Sequence, residues 1–252
     1  MRRGMSNGGR GEGRISMKHQ YFGDINDYRK YGLLRCIAEA TGQALGVLWL
    51  LTEDDGRTDG EFRRYLQHPT RWRGHDPLLF EALSQLLQVD HVRHVAHASA
   101  WDLLPGATYF DHVFTDSATE RSSAMTQAAE RLGGCPILFV DPDNGIEIKS
   151  VKYGSKNSCK YVYWRELDAL FRNGHTLLIY QHYPRIARER FHAELSEALR
   201  RQLGAADVLV FSTPYVAFFL ALQPRHVAFV PSIRALVENR WRQQIRCTSH
   251  GP

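Results

Sequence analysis

The sequence of 252 residues is 43% hydrophobic and 23% charged, a balance typical of a globular protein that buries a sizeable core. Its formal net charge of +5 permits a nucleic-acid partner but does not require one. No apolar run approaches the roughly 18 residues needed to cross a membrane, and scattered cysteines without a secretory signal predict reduced thiols in the cytoplasm.

Residues 1–16 are rich in Gly, Arg and Ser and show no apolar periodicity. This composition predicts a disordered basic tail. Residues 17–252 have the composition of an ordinary folded chain, and no internal repeat is visible. We therefore expect one domain over 17–252.

Beyond the tail, short apolar runs alternate with amphipathic segments. The segments predicted as strands are 44–51, 90–97, 110–115, 135–140, 175–180, 207–211 and 226–230. The segments predicted as helices are 28–40, 76–87, 118–132, 163–172 and 188–202. The apolar segment 212–222 is expected as a core helix, with an interface as the alternative. This alternation predicts an α/β fold with a Rossmann-like, mostly parallel sheet of about seven strands and helices on both faces. Ligands of such sheets bind beyond the carboxyl ends of the strands.

One predicted strand end is unusually rich in carboxylates. The segment FVDPDNGIE places Asp141, Asp143 and Glu147 directly after an apolar strand. Its Asn-Gly pair is a turn signal that would bring Asp143 and Asn144 back beside Asp141. Carboxylates placed in this way can hold a hard cation, position an amine or act as a base. We predict that these four residues are catalytic, and the alternative is an acidic turn that caps the next element.

The next predicted strand ends in YQHYPR, which carries His182 and Arg185. Histidine transfers protons near neutral pH, and arginine can bind a phosphate or a carboxylate through two parallel hydrogen bonds. Because both strand ends meet at one edge of a parallel sheet, we predict that His182 and Arg185 join the catalytic group. The alternative is an ordinary capping loop.

The segment KHQYFGDINDYRKYGLLR, residues 18–35, is dense in aromatic and basic side chains. Tyrosines offer stacking surfaces to bases, and lysines and arginines offer contacts to phosphates. The residues predicted to bind nucleic acid are Lys18, His19, Tyr21, Tyr28, Arg29 and Lys30. The alternative is an amphipathic first helix with an aromatic inner face, since Tyr28, Tyr31 and Leu34 have helical spacing.

The segment TEDDGRTDG, residues 52–60, follows the first predicted strand. It matches neither the phosphate-binding pattern GxxxxGK[ST] nor the dinucleotide pattern GxGxxG, so hydrolysis of ATP or GTP is not expected. Its acidic groups could meet the hydroxyls of a ribose, or they could form a solvated loop.

The order of these segments resembles that of the class I S-adenosylmethionine-dependent methyltransferases. It is most similar to the ribosomal large-subunit methyltransferase J family, which methylates adenine N6 in ribosomal RNA. That family opens with a His-, Gly- and Asp-rich segment that leads into its first helix, and residues 18–35 have the same character. A later strand ends in Asp-Pro-Pro-Tyr in the family and in Asp141-Pro142-Asp143-Asn144 here. The resemblance covers most of residues 17–232 in the order of elements.

The resemblance implies a nucleic-acid methyltransferase in which Asp141 holds the adenine amine and the loop 52–60 holds S-adenosylmethionine. The cofactor-binding candidates are Thr52, Glu53, Asp54 and Gly56. Two departures from the family stand out. Asp143 and Asn144 replace the second Pro and the Tyr, and an acidic loop replaces the glycine-rich cofactor loop.

Two alternative functions stay open. Asp141, Asp143 and Glu147 could bind Mg²⁺, with Lys149 beside them, as in a metal-dependent nuclease or phosphoesterase. The chain could also be a non-catalytic relative that binds nucleic acid or a protein partner, which the acidic cofactor loop favours. RNA and DNA are both open as substrates.

Overall fold

The computed structural model describes residues 22–52, 62–89 and 96–249. The predicted tail lies outside these residues. Six of the predicted site residues also lie outside them, namely Lys18, His19, Tyr21, Glu53, Asp54 and Gly56.

The described residues form strands that alternate with helices. The strands are β1 (Leu45–Trp49), β2 (Thr108–Phe110), β3 (Ile137–Asp141), β4 (Gly145–Ile146), β5 (Tyr161–Val162), β6 (Thr176–His182), β7 (Asp207–Ser212), β8 (Val216–Leu222) and β9 (Arg246–Ser249). The α-helices are α1 (Ile25–Thr41), α2 (Pro69–Trp72), α3 (Pro77–Val89), α4 (Ala96–Ala100), α5 (Ala118–Leu132), α6 (Trp164–Arg172), α7 (Arg188–Leu203) and α8 (Val230–Trp241). Short 3₁₀ turns cover Arg64–Gln67, Ser158–Lys160 and Pro224–Phe229.

Seven strands form the central sheet in the order β2-β1-β3-β6-β8-β7-β9, and β4 pairs with β5 beside it. The neighbours from β2 to β6 are parallel. Strand β8 is antiparallel to both β6 and β7, so β7 runs with the parallel set, and β9 runs against β7. The sheet is therefore mostly parallel and the fold is Rossmann-like, as predicted. Among the described helices, none is long and apolar enough to span a membrane.

Both faces of the sheet are covered, which explains why its strands read as continuous apolar runs. Successive side chains of a strand point to opposite faces, so Phe139 packs on one side and Val140 on the other. Helices α1, α3 and α8 cover the face of Phe139. Helices α5, α6 and α7 cover the face of Val140.

Local signals set several helix boundaries. The side chain of Asp24 accepts hydrogen bonds from the first free N–H groups of α1, and Ser117 caps α5 in the same way. Gly204 ends α7 in the left-handed conformation, with φ of 72°. These residue types mark helix ends in the sequence, and the predicted helix 118–132 is confirmed at both ends.

Two predictions about the second half of the sheet are wrong, and one strand was not predicted. The segment 226–230 lies in a 3₁₀ turn and the start of α8, where Pro231 occupies the first turn. The segment 212–222 ends in β8 rather than in a helix, because all seven residues of β8 are buried and such a run carries no helical periodicity. The edge strand β9 is short and polar, and no pattern in the sequence predicted it.

The predicted strands near β2 also differ from the structure. Strand β2 overlaps the predicted segment 110–115 only at Phe110, and an isolated bridge joins Val113 to Leu51. Of the predicted strand 90–97, residues 90–95 lie outside the described chain, and His97 belongs to the helix α4.

Candidate functional site

Several of the polar residues predicted from the sequence lie at the edge of the sheet where the strand order reverses. From β1 the chain first builds β2 on one side and later builds β3 on the other side. In parallel α/β sheets, ligands bind in the crevice beyond the carboxyl ends of two such strands. Here these ends are neighbours, since Trp49 of β1 pairs with Asp141 of β3.

The residues that follow β1 and β3 contact each other in this crevice. The hydroxyl of Thr52 donates to Oδ2 of Asp143 at 3.3 Å. Thr52 is buried, whereas Asp143 is partly exposed. The structure therefore brings a predicted cofactor-binding residue and a predicted catalytic residue together.

Asp141 forms a buried ion pair with a lysine from α1. Nζ of Lys30 lies 2.9 Å from Oδ2 of Asp141, and the two side chains are 13% and 7% exposed. The ammonium group also lies 5.6 Å from the ring centre of Tyr180 and 5.9 Å from that of Phe139. Aromatic rings at this distance stabilise a cation that has lost part of its water. Lys30 is thus held against the end of β3.

The charge states of this pair follow from burial and from neighbouring carboxylates. Burial raises the pKa of Asp141 above its ordinary value, and Lys30 opposes this shift. Burial alone would lower the pKa of Lys30, but Asp141 and Asp27 outweigh it and hold that pKa well above its ordinary value. Lys30 is therefore a stable cation, and its contact favours the ionised form of Asp141.

Two further aspartates of the α1 segment surround the pair. Oδ1 of Asp27 lies 3.0 Å from Nζ of Lys30, and its other oxygen accepts from the backbone N–H of Gly23. Burial and the charge of Asp27 raise the pKa of Asp24 to about 6. Together with Asp141, these carboxyl groups outnumber the ammonium of Lys30 among the described residues. The crevice therefore favours a cationic ligand.

Gly145 fixes the path of the carboxylate-rich segment after β3. Its φ of 117° is accessible to glycine, and a Cβ at this position would overlap the side-chain amide of Gln181. That amide oxygen accepts from the N–H of Ile146 at 2.8 Å. The predicted Asn-Gly turn is thus pinned to the end of β6, which keeps Asp143 beside the crevice.

Glu147 caps a helix rather than facing the Lys30–Asp141 pair. Its Oε1 accepts from the backbone N–H of Trp164, the first residue of α6, at 2.8 Å. This contact matches the alternative that the acidic segment caps the next element. Asn144 acts through its backbone, donating to Lys160 and accepting from His182.

The carboxyl end of β6 lies at the same edge of the sheet as the crevice. Nε2 of His182 lies 3.2 Å from the hydroxyl of Tyr180, whose ring also contacts the ammonium of Lys30. Arg185 is exposed in the loop after β6. The structure thus connects His182 to the pair through Tyr180, and it places Arg185 at the rim.

The predicted magnesium ligands do not form a cluster. In residues 22–52, 62–89 and 96–249, no group of three or more His, Cys, Asp or Glu side chains is arranged to hold a metal ion. Asp141 is bonded to Lys30 and Glu147 to Trp164. The metal site stays a prediction without support from the described geometry.

The first helix does not present the predicted nucleic-acid surface. Tyr28 is fully buried and stacks on Tyr65 at 5.2 Å, so it offers no face to a base. Arg29 is 7% exposed and donates to Gln244. Lys30 faces Asp141. The buried, stacked ring of Tyr28 matches the alternative of an aromatic inner face, and nucleic-acid binding by these residues stays a prediction.

Sequence reasoning missed the roles of several site residues. Asp24, Asp27 and Lys30 are spaced three apart, which places them on one side of the helix start, and this spacing was the available signal. Asp111 directly follows β2 and is exposed at the same edge of the sheet. Only the strand order, which the sequence does not give, puts Asp111 beside the crevice.

Comparisons with solved structures show a distant likeness. No family model matches the sequence, and no curated protein matches it. A solved structure of a Legionella pneumophila protein of the DUF519 family is similar with a TM-score of 0.38 and 12% identity, over 92% of this chain and 97% of that one. Neither fold nor function is inferred from it.

Proposed function

We propose that the protein binds S-adenosylmethionine in the crevice between β1 and β3 and methylates an amine of a nucleic-acid base. The observation that carries this proposal is the buried carboxyl group of Asp141, which lies 2.9 Å from the ammonium of Lys30 at the point where the strand order reverses. The Asp-Pro pair at this strand end is also what the sequence shares with the methyltransferase J family.

The residues of the crevice fit a cationic cofactor. S-adenosylmethionine carries positive charge on its sulfonium and ammonium groups, and the described carboxyl groups outnumber the ammonium of Lys30. A carboxylate that follows the second strand of such a sheet can accept hydrogen bonds from ribose hydroxyls, a role that suits Asp111. Thr52 offers a hydroxyl at the end of β1. When bound, the cofactor supplies an electrophilic methyl group.

Asp141 would act on the substrate amine. An ionised carboxylate accepts a hydrogen bond from an amine N–H, and this contact orients the nitrogen lone pair. Positive charge develops on that nitrogen during methyl transfer, and a fixed negative charge in a buried site stabilises it. Lys30 is a positioning residue, because it touches Asp141 rather than the reacting atoms. Its charge opposes the rise in the pKa of Asp141 that burial causes.

The decisive measurement is cofactor binding by calorimetry, followed by transfer of a labelled methyl group to RNA and to DNA. We expect S-adenosylmethionine to bind and Asp141→Ala to lower the transfer rate roughly a hundredfold or more. Asp168→Asn is the matched control, since that carboxylate pairs with Arg172 on α6. Thermal unfolding of each variant separates lost chemistry from lost folding.

Absence of both heat and a thermal shift at millimolar cofactor would overturn the proposal. Nucleic-acid binding without cofactor binding would instead favour the non-catalytic alternative. Nicking of DNA with Mg²⁺ that disappears in Asp141→Ala would favour the nuclease alternative. Thr52→Val adds an independent variant, because it removes a hydroxyl from the proposed cofactor side and should weaken cofactor binding severalfold.

A further inference from the structure

A concave pocket lies beyond the end of β7, at the same edge of the sheet as the crevice. Its volume is about 310 Å³, within the range of small binding sites. The end of β7 and the turn that follows it form one wall, through Ser212, Thr213 and Pro214. The first turns of α7 and the segment 242–246 after α8 form the other walls.

Three arginines line this pocket. The guanidinium of Arg188 donates to the carbonyl of Pro214 at 2.7 Å and lies 4.6 Å from the ring centre of Tyr183. These contacts hold it in place, and no carboxylate among the described residues forms an ion pair with it. Within the described part of the chain, Arg242 forms no ion pair. The guanidinium of the third, Arg246, pairs with the exposed carboxylate of Glu189.

The acidic group in the pocket offsets the arginines only in part. Arg246 lies 3.2 Å from Glu189, and these side chains are 71% and 67% exposed. An ion pair that exposed is screened by water and salt, so it is readily exchanged for another anion. Glu189 supplies one negative charge against the three guanidinium groups. The pocket is therefore suited to an anion, in contrast to the acidic crevice beside it.

Helix α7 adds to the positive character of the pocket. It has 16 residues, and its N-terminal residue Ala187 provides no side-chain cap. The N–H groups of its first turn point along the helix axis, and the positive end of the helix dipole lies there. Because Arg188 is the first residue of this helix, its guanidinium group and the helix dipole both attract an anion to the pocket.

The pocket is connected to the crevice through α1. Gln244, which lines the pocket, accepts hydrogen bonds from Arg29 at 2.8 Å and 3.3 Å. The next residue of α1 is Lys30, which binds Asp141. Tyr215 lies in the turn between β7 and β8, next to Pro214, and is 63% exposed. An exposed aromatic ring thus directly follows Pro214, which lines the pocket.

We propose that the pocket of Arg188, Arg242 and Arg246 binds a backbone phosphate of a single-stranded nucleic acid, and that a base of this strand stacks on Tyr215. Arginine suits phosphate because its planar fork gives two parallel hydrogen bonds. A single strand suits the site because its bases are free to stack on a protein ring and to expose their amines. This inference rests on the proposed function and names the substrate class of that site.

The test is fluorescence anisotropy with a labelled single-stranded RNA of about 12 nucleotides, and with DNA of the same sequence, over a series of salt concentrations. We expect Arg242→Ala and Arg188→Ala each to weaken binding several-fold. Each should also reduce the slope of log affinity against log salt by about 0.7, the value for one phosphate contact to a single strand. Arg190→Ala is the control, since Arg190 lies on α7 and pairs with Glu194 outside the pocket.

Tyr215→Ala separates stacking from charge. We expect it to weaken binding roughly tenfold while leaving the salt slope unchanged, because the ring carries no charge. A duplex of the same length should bind more weakly than the single strand. Wild-type affinity in the arginine variants, an equal loss in Arg190→Ala, or preference for the duplex would overturn the inference.

Calorimetry with S-adenosylmethionine on the same variants distinguishes this inference from the proposed function. We expect cofactor binding to be unchanged in Arg242→Ala and Tyr215→Ala. If the oligonucleotide binds through these arginines but the cofactor does not bind, the proposed function is overturned and the inference stands. If the cofactor binds but the affinity for the oligonucleotide does not depend on these residues, the inference is overturned and the proposed function stands.

Discussion

Lys30 and Asp141 show how a single contact can set the chemistry of a site. Burial removes the hydration of both charges, and the attraction between them offsets the cost of this desolvation. Removing one partner leaves the other as an isolated buried charge, which costs far more than the pair itself contributes. The pair is therefore a sensitive point for both folding and the proposed reaction.

Replacing Lys30 with methionine should lower the free energy of unfolding by about 3–5 kcal/mol at neutral pH, because Asp141 is left without a cation. The double variant Lys30→Met with Asp141→Asn should recover part of this loss, since no buried charge remains. Chemical denaturation of the four proteins gives the coupling between the two residues. Lys156→Met is the control at an exposed position and should change stability by less than about 0.5 kcal/mol. Simple additivity of the two single losses would contradict the pairing.

Asp24 makes stability depend on pH in a defined direction. Its pKa is raised from 3.8 to about 6 in the folded protein. A raised pKa means that the folded state binds the proton more tightly, so this contribution to stability is complete below the ordinary pKa and is lost as the pH rises through 6. A pKa shift of about two units at one site corresponds to a change in the free energy of unfolding on the order of 3 kcal/mol.

Asp24→Asn should therefore raise the free energy of unfolding relative to wild type, and the gain should be larger at pH 7 than at pH 4. Asparagine keeps the hydrogen bonds to the N–H groups of Asn26 and Asp27 but carries no charge. Urea unfolding between pH 4 and pH 8 gives both curves. Glu197→Gln, which removes an exposed carboxyl group of α7, should leave the pH dependence nearly unchanged. Parallel curves for wild type and Asp24→Asn would contradict the assignment.

At the scale of elements, α1 has to approach both the sheet and α8. One side of α1 carries Asp27 and Lys30 toward the crevice, and Gly32 faces α8. A Cβ at Gly32 would overlap the indole ring of Trp241, which is fully buried. The position of Lys30 therefore depends on a close contact between two helices that are about 200 residues apart in the sequence.

Gly32→Ala should destabilise the protein by about 1–3 kcal/mol through overpacking, although alanine favours a helix by about 1 kcal/mol over glycine. The sign of the effect is the test, since helix propensity and packing predict opposite changes. Gly134→Ala is the control, because no atom lies within 4 Å of its added Cβ. Thermal unfolding measures both variants, and a stabilised Gly32→Ala would show that α8 does not approach α1 this closely.

A second element-level contact joins the helices on the opposite face. Arg121 of α5 is 1% exposed and bonds both oxygens of Glu166 on α6 at 2.7 Å and 2.8 Å. It also donates to the carbonyls of Ser158 and Tyr161. This arginine satisfies the backbone groups that lead from the carboxylate-rich segment into α6, so it supports the wall of the site from behind.

At the scale of the whole molecule, two regions of opposite charge share one edge of the sheet. The crevice beyond β1 and β3 is acidic, and the pocket beyond β7 is basic. A ligand with a cationic part and a polyanionic part can engage both regions at once. A cationic cofactor together with a nucleic-acid strand is such a combination, and it follows from the strand order rather than from any single motif.

Much of the fold was predictable from local patterns. The strands near 45, 137, 176 and 207 are buried on both faces, so they read as short apolar runs between helices. Helices α5, α6 and α7 have one apolar stripe and recognisable end signals. Strand β8 was not predictable as a strand, because a run buried on every side has the same composition in a strand and in a core helix.

By itself the sequence determined the kind of sheet and the place of Asp141 at a strand end, since hydrophobic period and turn signals act over a few residues. The tertiary structure decided which residues Asp141 meets. Lys30 is 111 residues away and was predicted at a nucleic-acid surface, yet it lies 2.9 Å from that carboxylate. Likewise, Arg246 of β9 joins Arg188 in one pocket because β9 pairs with β7, which sets Arg246 opposite Ser212. Contacts of this range depend on the strand order, and no local pattern encodes that order.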